Sequence, residues 1–315
     1  MEKLLITEDL SKNFVKGGKT IKAVEKVNLA LDYGQTIGLV GESGCGKSTT
    51  GRLILDLITP SEGKVYFEGK NIYELDKNEK LSFRRNAQII FQDCFASLSP
   101  RIKVGDAIVE VLSIHNIGKD KKDRTNIAKQ VFESVGLSEE QMSRYPHEFS
   151  GGQRQRIGIA RAMCLNPKMI ICDEPVSALD VSVQAQIINL MQKLQKENNV
   201  AYIFISHDLS VVKHISDSIA VMYLGQIVET AGKKEFYDNP VHPYSQALLS
   251  AIPIPDPTLH REKILLSSEA NLKDYGLGCR FASRCWRAKK ECYEAIPTLK
   301  SIGNNHCVAC HFAKK

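Results

Sequence analysis

The stretch TIGLVGESGCGKSTTGRLIL, residues 36–55, constrains the fold of this chain more than any other: a short apolar run, a turn with three glycines, and the opening of a helix. An apolar run of that length reads as a strand buried on both faces. Gly41, Gly44 and Gly46 let the backbone turn tightly, so that its amide N–H groups converge on phosphate oxygens at the positive end of the helix. Lys47 is then placed to reach the β- and γ-phosphates, and the Ser48 hydroxyl to hold Mg²⁺. A phosphate loop between strand and helix calls for an α/β sheet with further ligand groups at the ends of its other strands.

Two other segments supply them. KMIICDEPVSALD is an apolar strand ending in two carboxylates. Asp173 suits Mg²⁺, a hard cation that takes oxygen ligands and keeps most of its waters. Glu174, one residue on, is placed to polarise an attacking water as general base. AYIFISHDLSVV is another buried strand with a polar end, from which His207 would contact the γ-phosphate.

PHEFSGGQRQRIGIARAM carries a second glycine pair at a second helix start, with Ile157, Ile159, Ala160 and Met163 as its core-facing residues. Ser150, Gly151, Gly152 and Gln153 thus form a second phosphate site. If the two helices lie far apart, one ATP cannot use both from one chain, so two chains could share it.

Taken together, these segments resemble the ATP-binding subunits of ABC transporters over essentially the whole chain. The resemblance implies a P-loop NTPase fold of the ABC type with a helical subdomain. GESGCGKS looks like Walker A, so Gly41, Ser43, Gly44, Cys45, Gly46, Lys47, Ser48 and Thr49 would surround the ATP phosphates. MIICDE looks like Walker B, and Gln92 in IIFQD like the Q-loop glutamine, beside both Mg²⁺ and the reacting water. Glu174, His207, Lys47 and Gln92 are the catalytic set this implies. SGGQ looks like the signature that clamps ATP held by the opposite subunit, with Asp180 of SALD beside it. Phe14 falls where the family stacks an aromatic on adenine, and Val24 where it packs beside that ring.

FQDCFASLSPR, PVSALDVSVQAQIINLMQKLQ and NPVHPYSQALLSAIPIPDP are similar to the oligopeptide/dipeptide importer branch, with Cys94 and Phe149 as departures that touch no catalytic role. The resemblance implies import of peptides driven by ATP-induced dimer closure. It also implies a second, related ATPase subunit, two transmembrane permease subunits and an extracytoplasmic solute-binding protein. Nickel or glutathione importers use similar subunits and remain an alternative cargo class. A soluble ABC ATPase acting on nucleic acid is the reading from another class, and a non-hydrolysing regulatory subunit a third; intact Glu174 and His207 argue against the last.

Charge bears on the nucleic-acid reading. The net charge is +6, but residues 279–315 hold eight Lys or Arg against two Glu, so the preceding residues balance at 34 against 34. A neutral body offers no phosphate-binding face, and no nucleic-acid partner is expected. MEKLLITEDL holds no apolar run of signal-peptide length, and nowhere do 18 apolar residues follow one another. The expected place is peripheral, on the cytoplasmic face of the cell membrane.

The expected domains are an ABC ATPase domain over 1–252, its helical subdomain at about 93–160, and a linker with a cysteine-rich C-terminal extension over 253–315. Pro253, Pro255 and Pro257 mark the linker. Nine cysteines in a reducing compartment are not a disulfide framework. Cys45, Cys94, Cys164 and Cys172 read as small buried hydrophobes. Cys279, Cys285, Cys292 and Cys310 resemble in their spacing the extension that holds a 4Fe–4S cluster in some members of the branch, Cys307 being spare. Zinc is the alternative, because Cys307 and Cys310 form a C-x-x-C preceded by His306. Arg280, Arg284, Arg287, Lys289 and Lys290 are expected to offset a cluster's negative charge. The proline linker is expected to keep this extension independent of nucleotide binding.

Overall fold

The computed structural model describes residues 3–93, 98–253, 263–266, 277–303 and 305–313. In chain order its elements are β1 (Leu5–Lys16), β2 (Lys19–Leu31), β3 (Thr36–Val40), α1 (Lys47–Ile54), β4 (Glu62–Phe67), β5 (Lys70–Asn71), α2 (Lys77–Asn86) and β6 (Ala87–Ile90). Then follow α3 (Val104–Ile114), α4 (Lys121–Ser134), α5 (Gly151–Met163), β7 (Met169–Asp173), α6 (Val181–Asn198), β8 (Ala201–Ser206), α7 (Leu209–Ile215), β9 (Ser218–Tyr223) and β10 (Gln226–Gly232). The remainder is α8 (Lys233–Asp238), α9 (Pro243–Ser250), α10 (Glu291–Glu294), β11 (Lys300–Gly303) and β12 (His306–Val308). The residues divide into two compact units, one of Met1–Leu4, Leu31–Gln35 and Phe67–Ile205, the other of Leu5–Ala30, Thr36–Tyr66 and Ser206–Lys315.

In the first unit the strands lie in the order β8-β7-β6, all parallel. Every residue of β7 and β8 is buried, which is why their sequences run apolar without alternation. The helical segment expected from about 93 to 160 is α3, α4 and most of α5. Each helix start is written locally: Asp120 accepts from the Asp123 amide at α4, and Ser150 accepts from the Gln153 amide at α5. Ile157, Ile159, Ala160 and Met163 are all buried, as the helical spacing predicts.

In the second unit the order is β11-β12-β10-β9-β3, with β3 parallel to β9 and the remaining pairs antiparallel. The strands β2-β1-β4 form a second small sheet there. SIAVMYLGQIVETA gives β9 and β10 as expected, turning at Gly225, whose φ is +86°.

The boundary expected at 252/253 is not one that the units follow, since Ser206–Lys315 falls within a single unit. The cause is strand pairing: β12 continues the sheet alongside β10, with Val308 opposite Glu229 and Cys307 opposite Thr230. Glu229, fully buried, accepts from the Val241 and His242 amides at 2.8 and 3.0 Å and lies 2.7 Å from His306 Nε2. Phe281 is also buried and meets Tyr223 and Tyr244 at ring centroid distances of 5.2 and 5.4 Å. Of the linker prolines, Pro255 and Pro257 lie outside the described residues.

Candidate active site

The phosphate loop between β3 and α1 has the backbone that its glycines promise: φ is +152° at Gly41, +77° at Gly44 and +112° at Gly46. A Cβ at Gly46 would stand 2.3 Å from the Ala23 carbonyl oxygen, so this position rejects a side chain on two grounds. Lys47, 4% exposed, donates to the carbonyls of Gly41 and Glu42 at 2.8 and 2.9 Å. Those two bonds keep its ammonium over the loop until phosphate oxygens compete for it. Ser48 and Thr49 are half-buried on the first turn of α1, and Ser43 is exposed. Cys45 is buried, and burial raises its thiol pKa, so it packs as a small apolar residue. The same unit carries Val24, fully buried, and Phe14, 42% exposed, whose ring is therefore not a core residue. His207 is exposed in the same unit, between the end of β8 and Asp208, the N-cap of α7.

In the first unit, Asp173 ends β7 with only 6% exposure, and Glu174 follows it with φ at +49°. That left-handed backbone costs a non-glycine residue on the order of 1 kcal/mol or more and persists only where the surroundings impose it. Here the Glu174 amide donates to the Ile205 carbonyl at 3.0 Å. Gln92 Nε2 donates to Glu174 Oε2 at 3.2 Å, bringing the Q-loop residue onto the candidate base. The α5 start is a reciprocal capping box, since the Ser150 amide also donates to Gln153 Oε1 at 3.1 Å. Ser150 and Gly151 are exposed, whereas Gly152 is held close against α6, where a Cβ would stand 2.6 Å from Val183 Cγ1. Asp180, exposed, is the N-cap of α6.

Cys279, Cys285, Cys292 and Cys310 line one cavity, together with His242, Phe281 and Arg287. Burial, with the nearby Cys292, Cys310 and Cys285 thiols, pushes the Cys279 thiol up to about 11. Among the described residues, no group of three or more His, Cys, Asp or Glu closes on a point that would hold a single metal ion. Cys307 stands on β12 opposite Thr230 and is not among the residues lining the cavity. His306 is engaged with Glu229, so the expected His306, Cys307 and Cys310 zinc set is not assembled.

One further expectation about this region needs correction. Arg280 and Arg284 do not surround the cysteines: their buried guanidiniums pair with Glu25 and Glu42. Lys290 pairs with Glu294, and Lys289 lies over the Phe312 ring at 4.6 Å, which leaves Arg287 as the cation on the cavity. Glu42 belongs to the phosphate loop, so a side-chain contact joins the extension to that loop. The sequence reading named Arg284 only in connection with the cysteines and missed Glu42, Tyr223 and Tyr244; the Glu42–Arg284 contact spans 242 residues and has no local signal. Cys164 and Cys172 are buried as expected, while Cys94 lies outside the described residues.

Comparison with known proteins decides the family. Residues 24–177 match the ABC transporter family, and residues 228–292 match the oligopeptide/dipeptide transporter C-terminal region. The chain is 52% identical over 296 residues to the oligopeptide transport ATP-binding protein AppF of Bacillus subtilis, covering 92% of this chain and 89% of that one. It is 50% identical over 295 residues to OppF of Salmonella typhimurium, covering 93% and 88%. The chain belongs to the ATP-binding subunits of the oligopeptide/dipeptide ABC transporters. As an ABC ATPase it uses ATP and Mg²⁺. The dimeric, post-hydrolysis structure of the ATP-binding cassette MJ0796 with ADP and phosphate is similar at a TM-score of 0.66 and 28% identity, covering 73% of this chain and 98% of that one. Among the described residues of this ABC subunit, no helix is long and apolar enough to cross a membrane.

Proposed function

We propose that this ABC subunit hydrolyses ATP to power peptide import, on the cytoplasmic face of the membrane, through permease subunits carried on separate chains. The observation that carries the reading is the match of residues 228–292 to the oligopeptide/dipeptide transporter C-terminal region, which generic ABC motifs do not imply. A second, related ATPase subunit would close on this one so that each ATP lies between one chain's phosphate loop and the other's Ser150–Gln153 turn. The exposed, capped start of α5 supports that role, because its first amides have no intrahelical acceptor. Glu174 accepts the proton of the attacking water, Gln92 orients Glu174, and Lys47 and His207 meet the charge developing on the γ-phosphate. Ser48, Asp173 and Gln92 would hold Mg²⁺, which neutralises phosphate charge; a 6% exposed strand-end carboxylate suits that hard cation. Phe14 and Val24 would contact adenine. Closure drives the permease only by as much as ATP favours the closed pair. The test is reconstitution with permease and solute-binding subunits in vesicles: peptide uptake should require ATP and vanish with Glu174→Gln. Nickel or glutathione uptake without peptide uptake would overturn the cargo assignment.

A second reading concerns Cys279, Cys285, Cys292 and Cys310, and we propose that they hold a 4Fe–4S cluster. What favours it is that the four thiols line one cavity while Cys307 is not among the lining residues. A single zinc ion about 2.3 Å from each sulfur would draw the thiolates tightly together, whereas a cluster holds them apart by its own bulk. Anaerobically purified protein should be brown, with iron and sulfide in equal amounts. Colourless protein with stoichiometric zinc would overturn the reading.

A further inference from the structure

Glu42 is held at every polar group it has. Its amide donates to Tyr244 Oη at 2.8 Å, its carbonyl accepts from Lys47 Nζ at 2.9 Å, and its two carboxylate oxygens each accept from Arg284, at 2.9 Å. The Arg284 side chain is 4% exposed, and its Nη1 also donates to Tyr223 Oη at 3.2 Å. Tyr223 and Tyr244 meet edge to face at 4.6 Å, and Phe281 packs on both. Arg284 immediately precedes Cys285 of the cysteine cavity. Four residues earlier, buried Arg280 pairs with Glu25 and donates to the Leu224 carbonyl. The C-terminal residues therefore grip the nucleotide loop itself and the end of the strand beside it.

We infer that Arg284 is a positioning residue for ATP: its planar two-point fork fixes residue 42, so the folded state of the cysteine-bearing extension sets how well the phosphate loop binds nucleotide. A phosphate loop works by presenting amides already aimed inward, and any freedom at residue 42 must be lost on binding. Lys47 must also leave the Glu42 carbonyl to reach phosphate, and the fork keeps residue 42 in place while it does so. The pair suits this task because the buried guanidinium meets the half-buried Glu42 carboxylate at two points, which makes the contact directional. A lysine at 284 would carry the charge without the fork.

The test is a cycle using Arg284→Met, Glu42→Gln and the double variant, read as the dissociation constant of the full chain for Mg-ATP and as the steady-state parameters for ATP of the assembled transporter. Each single variant should weaken ATP binding about tenfold, as expected for a charge-assisted contact. The double variant should be no weaker than either single one, because one interaction is lost. The larger part of the loss should fall on KM rather than kcat, and Arg284→Lys should not restore affinity. If Arg284→Met does not fold, the isosteric Glu42→Gln carries the measurement alone. Affinity within twofold of the parent in the variants that fold, with only the melting temperature lowered, overturns the inference and makes the contact a mere staple. Losses that multiply in the double variant overturn it as well.

Discussion

Replacing the Glu174 carboxylate by an amide keeps its size and its hydrogen-bond distance to Gln92 but removes the proton acceptor. Glu174→Gln should therefore lower turnover by about 10²–10⁴ while Mg-ATP still binds, as checked by parallel hydrolysis and binding measurements. Gly46→Ala should do the reverse. Its Cβ collides with the Ala23 carbonyl at 2.3 Å in a φ of +112°, so ATP binding should be lost and the melting temperature lowered. Residues differ in how openly the sequence announces them. Gly41, Gly44, Gly46 and Lys47 were legible because the loop's chemistry is local, each residue serving its own stretch of backbone. The left-handed backbone of Glu174 was not, because the Ile205 carbonyl, from another strand, imposes it.

Helix α5 is capped at its first turn by Ser150, on the same residues proposed to dock a partner's ATP. Ser150→Ala removes the side-chain cap and should cost about 1 kcal/mol in urea unfolding of the isolated chain. Gly151→Asp places a negative charge where a partner's γ-phosphate would dock. Isolated chains should keep their ATP affinity, and the assembled transporter should lose hydrolysis at the site served by this turn. A monomer that loses its own affinity would show that the turn serves its own nucleotide. The position of this helix was readable from its cap and spacing, but the reason for the second glycine was not. Gly152 meets Val183 of α6, and a packing requirement between helices leaves the same letter as a phosphate requirement.

At the scale of the whole chain, the sequence suggested an ATPase followed by an autonomous tail, because proline punctuation is visible and three-residue strands are not. In the structure β12 pairs with β10, and both belong to the unit that includes Ser206–Lys315. His306→Ala leaves the Glu229 carboxylate fully buried with the Val241 and His242 amides as its donors among the described residues, and should cost roughly 3 kcal/mol in denaturant unfolding. Arg284 lies 242 residues beyond Glu42, and that separation also orders events during synthesis. At about 5–20 residues per second, the nucleotide loop leaves the ribosome roughly 10–50 s ahead of the arginine that holds it. Throughout that interval the nascent chain has every residue of the phosphate cradle without the grip on residue 42. A product cut short by a late frameshift stays in that condition permanently, so the last tenth of translation decides whether the first sixth is put to use.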